Sequence, residues 1–169
     1  MLAKIINLPK FEDPRGNLSF IEENNHIPFK IERTYWIYDV PGGEVRGGHA
    51  FKKQQEFIVA LSGSFDVVID NGKEKQTYSL NRSYYGLYVP AGLWRQMQNF
   101  STNSLALVLS STHYNSNDYI YEYQKFLKYK AFLWFSFIDS KIKIAIKKDS
   151  NLAIIKGRKQ DVELLMQKL

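Results

Sequence analysis

Short apolar-rich runs separated by turn residues fill the first 115 positions of the chain. They predict strands at 4–8, 17–22, 31–40, 56–62, 64–70, 74–80, 85–89, 94–99 and 104–110. Residues 65–70 (FDVVID) lead into Asn71-Gly72, a dipeptide that accepts the positive φ of a two-residue type I′ hairpin turn. Asp13-Pro14-Arg15-Gly16-Asn17 and Pro41-Gly42-Gly43 predict further turns. No helical period separates these runs, so a closed or sandwiched antiparallel β architecture is expected, not βαβ. The pattern changes near residue 117. Asn117 and Asp118 are N-cap candidates, and 119–129 (YIYEYQKFLKY) reads as a helix or an aromatic extended segment. Residues 141–148 (KIKIAIKK) alternate with period two and predict an edge strand guarded by lysines. Residues 161–169 (DVELLMQKL) have an acidic start and a 3.6-residue apolar period, and predict a short helix. The reading is one mostly β domain over 1–130, and a short α/β appendage over 131–169 packed on it or on a partner subunit.

Composition supports one ordered domain. The chain has 169 residues, 44% hydrophobic and 15% aromatic, enough for a sizeable core. It has no cysteine, which excludes disulfides and thiolate metal sites and suits a reducing cytoplasm. The N-terminal stretch lacks a signal-peptide h-region, and the longest apolar run, 131–138, is too short for a bilayer. A cytoplasmic protein without membrane association is expected. The formal charge is +6, unevenly placed. Residues 1–130 carry 15 basic and 13 acidic side chains, whereas 131–169 carry 8 and 4. The domain is thus nearly neutral and lacks the dense basic stripe of a nucleic-acid binder. The basic tail reads as a solvated face.

Two windows carry the candidate chemistry. The first places Gly43, His49, Phe51, Glu56 and Gly63 in order; the second places Gly86, Pro90, Gly92, Arg95 and Asn99. Their spacing resembles the paired motifs of a cupin, a double-stranded β-helix or jelly-roll barrel. In such a barrel the first window forms a hairpin, which turns His49, Phe51 and Glu56 inward with Arg95 opposite. A metal-binding cupin would carry histidine at 51 and 95. A divalent cation needs three or four neutral or anionic donors. Phe51 offers none and Arg95 repels a cation, so neither metal nor other cofactor is expected.

What remains is one imidazole, one carboxylate and fixed positive charge. With an ordinary pKa near 6.5, His49 is suited to acid/base work at neutral pH. Glu56 either orients His49 or is satisfied by another side chain. Arg95 either meets a phosphate or enolate oxygen or pairs with Glu56. Trp94 precedes it and should face the other side of the barrel. Tyr35 and Tyr38 lie three apart on one strand, so one of them faces the cavity, where a phenol can donate to a developing oxyanion.

Longer stretches resemble a family, the sugar-nucleotide 3,4-ketoisomerases, relatives of the rhamnose-pathway 3,5-epimerases. They are Asp13 to Leu18, Ile27-Pro28-Phe29, Arg33 to Tyr38, Arg46 to Ala50, Ala60 to Val67, Asn81-Arg82-Ser83, Gly86 to Pro90, Trp94-Arg95 and Tyr114 to Phe126. They run in order over about residues 4–130. The resemblance implies a dTDP-4-keto-6-deoxyhexose substrate, with His49 and Tyr35 or Tyr38 as catalytic groups. It also implies Arg15, Arg46, Glu56, Arg82, Trp94 and Arg95 as substrate contacts, and a homodimer that exchanges N-terminal strands. The family reads His-Ala-His where this chain has His49-Ala50-Phe51. One base over one ring face could still serve both C3 and C4. The alternatives are a cupin that binds nucleotide-sugar without turning it over, and a 3,5-epimerase, which would pair its histidine with an aspartate.

Overall fold

The computed structural model describes the backbone of residues 2–148 and the side chains of residues 2–137. In chain order the strands are β1 (Lys4–Asn7), β2 (Arg33–Ile37), β3 (Arg46–Phe51), β4 (Glu56–Ser62) and β5 (Phe65–Asp70). They continue with β6 (Lys75–Leu80), β7 (Tyr85–Val89), β8 (Trp94–Gln98), β9 (Leu105–Ser110) and β10 (Tyr119–Ile120), followed by helix α1 (Tyr123–Lys148). Two antiparallel five-stranded sheets form, in the orders β1-β7-β4-β9-β2 and β10-β3-β8-β5-β6. This is the cupin-type barrel that the motif spacing predicts.

Strand alternation builds the interior. Ile58, Ala60, Leu87, Val89, Ala106 and Val108 of the first sheet meet Phe65, Val67, Ile69, Leu80 and Met97 of the second. The central strand β4 is buried on both faces, because Leu8, Ile27 and Phe29 of the N-terminal segment cover Phe57, Val59, Tyr88 and Leu109 outside. Outside the second sheet, Ala50, Ile120 and Phe126 form a smaller cluster with Trp94 and Tyr123.

Four expectations are corrected. The first window does not form a hairpin: β3 and β4 belong to different sheets, and residues 52–55 carry the chain between them. The 17–22 run is not a strand and makes only an isolated bridge, Phe11 to Leu18. The N-terminal arm packs over the outer face of the β1-β7-β4-β9-β2 sheet instead. The β5–β6 hairpin forms, but it pairs Asp70 with Lys75, leaving a four-residue loop in place of a two-residue turn. The Asn71 side chain there accepts from the amides of Lys73 and Glu74. Finally, 141–148 continues α1. An alternating run becomes a strand only where a free edge supplies the ladder, and this one follows directly on a helical turn. The helix expected at 161–169 lies outside the described residues. The chain divides into two compact units, residues 1–130 and 131–169.

Candidate active site

The site lies inside the barrel, near the end where β4 begins. A β-bulge between Gly47 and His49 interrupts the β3–β8 ladder. Gly47 and Gly48 both take positive φ there, and a Cβ at Gly47 would stand 2.8 Å from Arg95 Nη1. The bulge lets the backbone close over the guanidinium and sets His49 in register with Arg95.

Arg95 and Glu56 are 2% and 1% exposed, so each charge depends on the other. Arg95 donates to Glu56 Oε2 from Nε at 3.0 Å and from Nη2 at 2.9 Å. Tyr35 donates to Glu56 Oε1 at 2.5 Å, and Gln54 donates to the same oxygen at 3.0 Å. Four donors therefore occupy the four lone-pair sites of one carboxylate. With Glu56 saturated and a guanidinium beside His49, the donor set does not fit a divalent cation.

Arg95 Nη2 also stands 3.4 Å from His49 Nε2 and 3.4 Å from the Tyr35 hydroxyl. Guanidinium nitrogens only donate, so Nε2 is the lone-pair nitrogen of the imidazole. At the outer limit of a hydrogen bond, its lone pair stays available. Phe51 and Tyr119 wall the ring at centroid distances of 4.8 and 5.1 Å, and Tyr121 stacks on Tyr119 at 5.1 Å. Burial among these groups lowers the His49 pKa to about 4, and the Arg95 charge pushes the same way. Burial raises the Tyr35 phenol far above its ordinary value, and the Glu56 charge adds to this, so Tyr35 holds its proton.

A pH consequence follows. The neutral, basic form of His49 persists down to about pH 4. We expect the acid limb of kcat/KM governed by this group to bend near 4, not near 6.5. Stability has the matching sign. Above pH 6.5 neither folded nor unfolded chain protonates this group, whereas between 6.5 and 4 only the unfolded chain does, so stability falls across that window. Activity profiles and urea melts at stepped pH check both; a kinetic bend at 6.5 would contradict the buried, Arg95-flanked ring.

The structure brings together His49, Tyr35, Glu56 and Arg95 of the predicted residues. It does not bring Trp94, which packs outside the barrel against Tyr123 and Phe126, at 5.2 and 5.7 Å. The pleat gives Arg95 the inner face and its neighbour the outer one. Tyr38 follows the end of β2 with Trp36 on the face opposite Tyr35, and is 60% exposed. Arg15 is exposed and bound to Asp13. Arg46 is exposed at the start of β3. Arg82 lies in a pocket with Ser62, Gly63 and Ser101, beyond the far end of β4 from Glu56. None of the three hydrogen-bonds or ion-pairs with the His49 cluster. Sequence reasoning missed Gln54, Tyr119, Tyr121 and the Arg33 side chain, which donates to Gln54 Oε1 at 3.0 Å. The only local signal was Gln54-x-Glu56, two residues apart and so on one side of an extended chain.

Known proteins agree with this architecture. A family model described as FdtA (WxcM-like, C-terminal) matches residues 1–131. A TDP-4-oxo-6-deoxy-α-D-glucose-3,4-oxoisomerase from Aneurinibacillus thermoaerophilus is 44% identical over 131 residues, 78% of this chain and 94% of its own. The crystal structure of a 3,4-ketoisomerase from Helicobacter canadensis superposes with a TM-score of 0.75 at 38% identity, covering 78% of this chain and 98% of that one. A sugar 3,4-ketoisomerase from Thermoanaerobacterium thermosaccharolyticum, solved in complex with TDP, matches with a TM-score of 0.75 at 32% identity over 76% of this chain and 94% of its own. Sequence, barrel and family model agree over the same residues, and the chain belongs to the FdtA family of sugar-nucleotide 3,4-ketoisomerases.

Proposed function

We propose that the protein is an isomerase that converts a TDP-linked 4-keto-6-deoxyhexose to its 3-keto isomer, with His49 as its single carbon base. One observation carries the assignment of roles. His49 Nε2 and the Tyr35 hydroxyl flank the same Arg95 nitrogen at 3.4 Å each, so they stand at most twice that distance apart. A base for carbon and a hydroxyl for oxygen thus share one site beside a positive charge.

The reaction needs no oxidant. His49 takes the C3 proton, the C3–H electrons form the C3=C4 bond, and the carbonyl electrons move to O4, which takes a proton. The enediol then loses the O3 proton, the C3=O bond forms, and C4 takes the proton back from His49. One proton passes from C3 to C4 and one from O3 to O4. Tyr35 relays the second, passing a proton to O4 as it receives one from O3, since its phenol does not rest ionised. Arg95 offsets the charge that builds on the enediolate oxygen. Phe51, where the family carries a second histidine, helps Tyr119 shield the imidazole from water.

The same reading includes a cytoplasmic homodimer that exchanges N-terminal strands. Leu2, Phe11 and Leu18 support the dimer, being 71%, 59% and 58% exposed on the N-terminal segment.

The test is incubation with TDP-4-keto-6-deoxyglucose, with and without chelator, followed by NMR of the sugar ring. We expect the 3-keto product in both. From substrate deuterated at C3, a single base should deliver part of the label to C4. Binding without product would leave a nucleotide-sugar binder, and exchange at C5 would favour an epimerase.

A further inference from the structure

We propose that residues 131–148 anchor the protein at the surface of a bilayer rich in anionic phospholipid, a role that stands apart from the chemistry in the barrel. The character of α1 changes along its length. In its first turns the helix has an inward face, where Phe126 is fully buried in a cluster with Ala50 and Ile120. From 131 to 137 every residue is exposed, over about two turns of helix. Phe132, Leu133 and Phe135 are 67%, 40% and 56% exposed, and Trp134 and Phe137 are exposed with them. Ordinary surfaces scatter large apolar side chains singly, whereas five within six residues mark a contact surface.

Charge and length choose the occupant. The helix backbone runs on to Lys148, and the sequence there supplies lysine at 141, 143, 147 and 148 against one acid, Asp139. The whole segment 131–169 carries 8 basic and 4 acidic residues, while the first 130 residues are nearly balanced. An aromatic patch followed by a basic run complements an interface that is apolar within and phosphate-coated outside. Aromatic rings settle at the headgroup boundary, and each lysine near an anionic surface adds attraction. The apolar stretch 131–138 spans about 12 Å of helix, against roughly 30 Å of hydrocarbon in a bilayer. It is therefore suited to lying in the surface. No helix among the described residues is long and apolar enough to cross a membrane.

A second copy of the chain fits this patch less well. Helices that pair bury one stripe and keep the rest of the circumference polar. Positions 132 to 135 are consecutive, about 100° apart around the axis, and all four are large, apolar and exposed. No single stripe covers them, whereas a lipid interface wraps a sunken helix on several sides. A parallel pair would also set the lysine runs side by side, where like charges repel. The basic tail that composition reads as a solvated face is, on this proposal, solvated by phosphate headgroups. The expectation of a protein without membrane association is replaced for this segment.

The experiment sediments the full chain with vesicles of phosphatidylglycerol and phosphatidylcholine, or of phosphatidylcholine alone, at low and high salt. The variants are the pair Phe132→Ser with Phe135→Ser and the pair Lys141→Gln with Lys143→Gln. We expect the native chain to bind the mixed vesicles at least tenfold more tightly than the neutral ones, and to be released as salt rises. The phenylalanine pair should lose tenfold or more. The lysine pair should lose about fivefold per charge removed. Both should keep the native melting curve and sugar turnover, because none of the four residues belongs to the barrel site. A native chain that stays in the supernatant overturns the proposal. So does either variant pair binding the mixed vesicles within twofold of native, the lysine pair standing as the independent check should the phenylalanine pair melt early. Analytical ultracentrifugation covers the other occupant: self-association abolished by the phenylalanine pair, without vesicle binding, assigns the patch to a second copy and overturns the proposal as well.

Discussion

Replacing His49 with asparagine should reduce isomerase turnover about 10²- to 10⁴-fold while leaving the fold intact, the usual worth of a positioned acid/base group. Asparagine preserves the approximate volume and a polar tip, so the walls formed by Phe51 and Tyr119 keep their packing. It has no lone-pair nitrogen that can take a carbon-bound proton. The loss should fall on kcat with little change in KM, because a proton moved only in the transition state adds nothing to ground-state binding. The melting curve should stay near that of the native chain, and TDP should still bind. Turnover within a few-fold of native would remove His49 from the mechanism and return Phe51 and its neighbours to scrutiny. Hydrogen–deuterium exchange at C3 sharpens the result: the variant should lose exchange together with turnover if one base serves both carbons.

Replacing Arg95 with methionine should cost about 3–5 kcal/mol of folding stability, the scale for breaking a buried ion pair from one side. The loss comes less from the missing attraction than from the survivor. Glu56 is 1% exposed, and without the guanidinium its Oε2 loses both donors inside the barrel. Against a typical total of about 5–15 kcal/mol, this is a large share. Urea unfolding measures it directly. The double substitution Arg95→Met with Glu56→Leu should recover most of the loss, since it removes the stranded charge. A single variant that loses less than about 1 kcal/mol would show that water or another cation reaches Glu56. Activity should not recover in the double variant, because the guanidinium beside His49 and Tyr35 is gone. Stability and catalysis are thereby separated at one residue.

The two experiments bear on different parts of what was readable from the residues. Spacing along the chain was enough to place His49, Glu56 and Arg95 inside one barrel, because strand period and motif intervals are local properties. It also showed that Tyr35 and Tyr38 could not both face inward. It did not say which of them does; the edge position of β2 and its pairing with β9 settle that in favour of Tyr35. Trp94 shows the limit from the other side. Its parity opposite Arg95 was visible, yet only the start of α1 packed over the outer face explains why the indole is covered there. Arg82 matched the family in sequence and still lies at the other end of β4, since matching a motif does not measure distance through the fold.

The sequence by itself determined the strand-rich barrel, the absence of thiol chemistry, the single histidine of the motif windows and the family to which they belong. These follow from residue type and short intervals, which survive without knowledge of any neighbour. The tertiary structure alone decided that Arg95 pairs with Glu56 inside the barrel. It also decided that Tyr119 and Phe51 enclose the imidazole, and that the Arg33 guanidinium lies over Tyr35 and Tyr114 and reaches Gln54. Those contacts join residues far apart in the chain, and their strength depends on burial, which no short window of sequence contains.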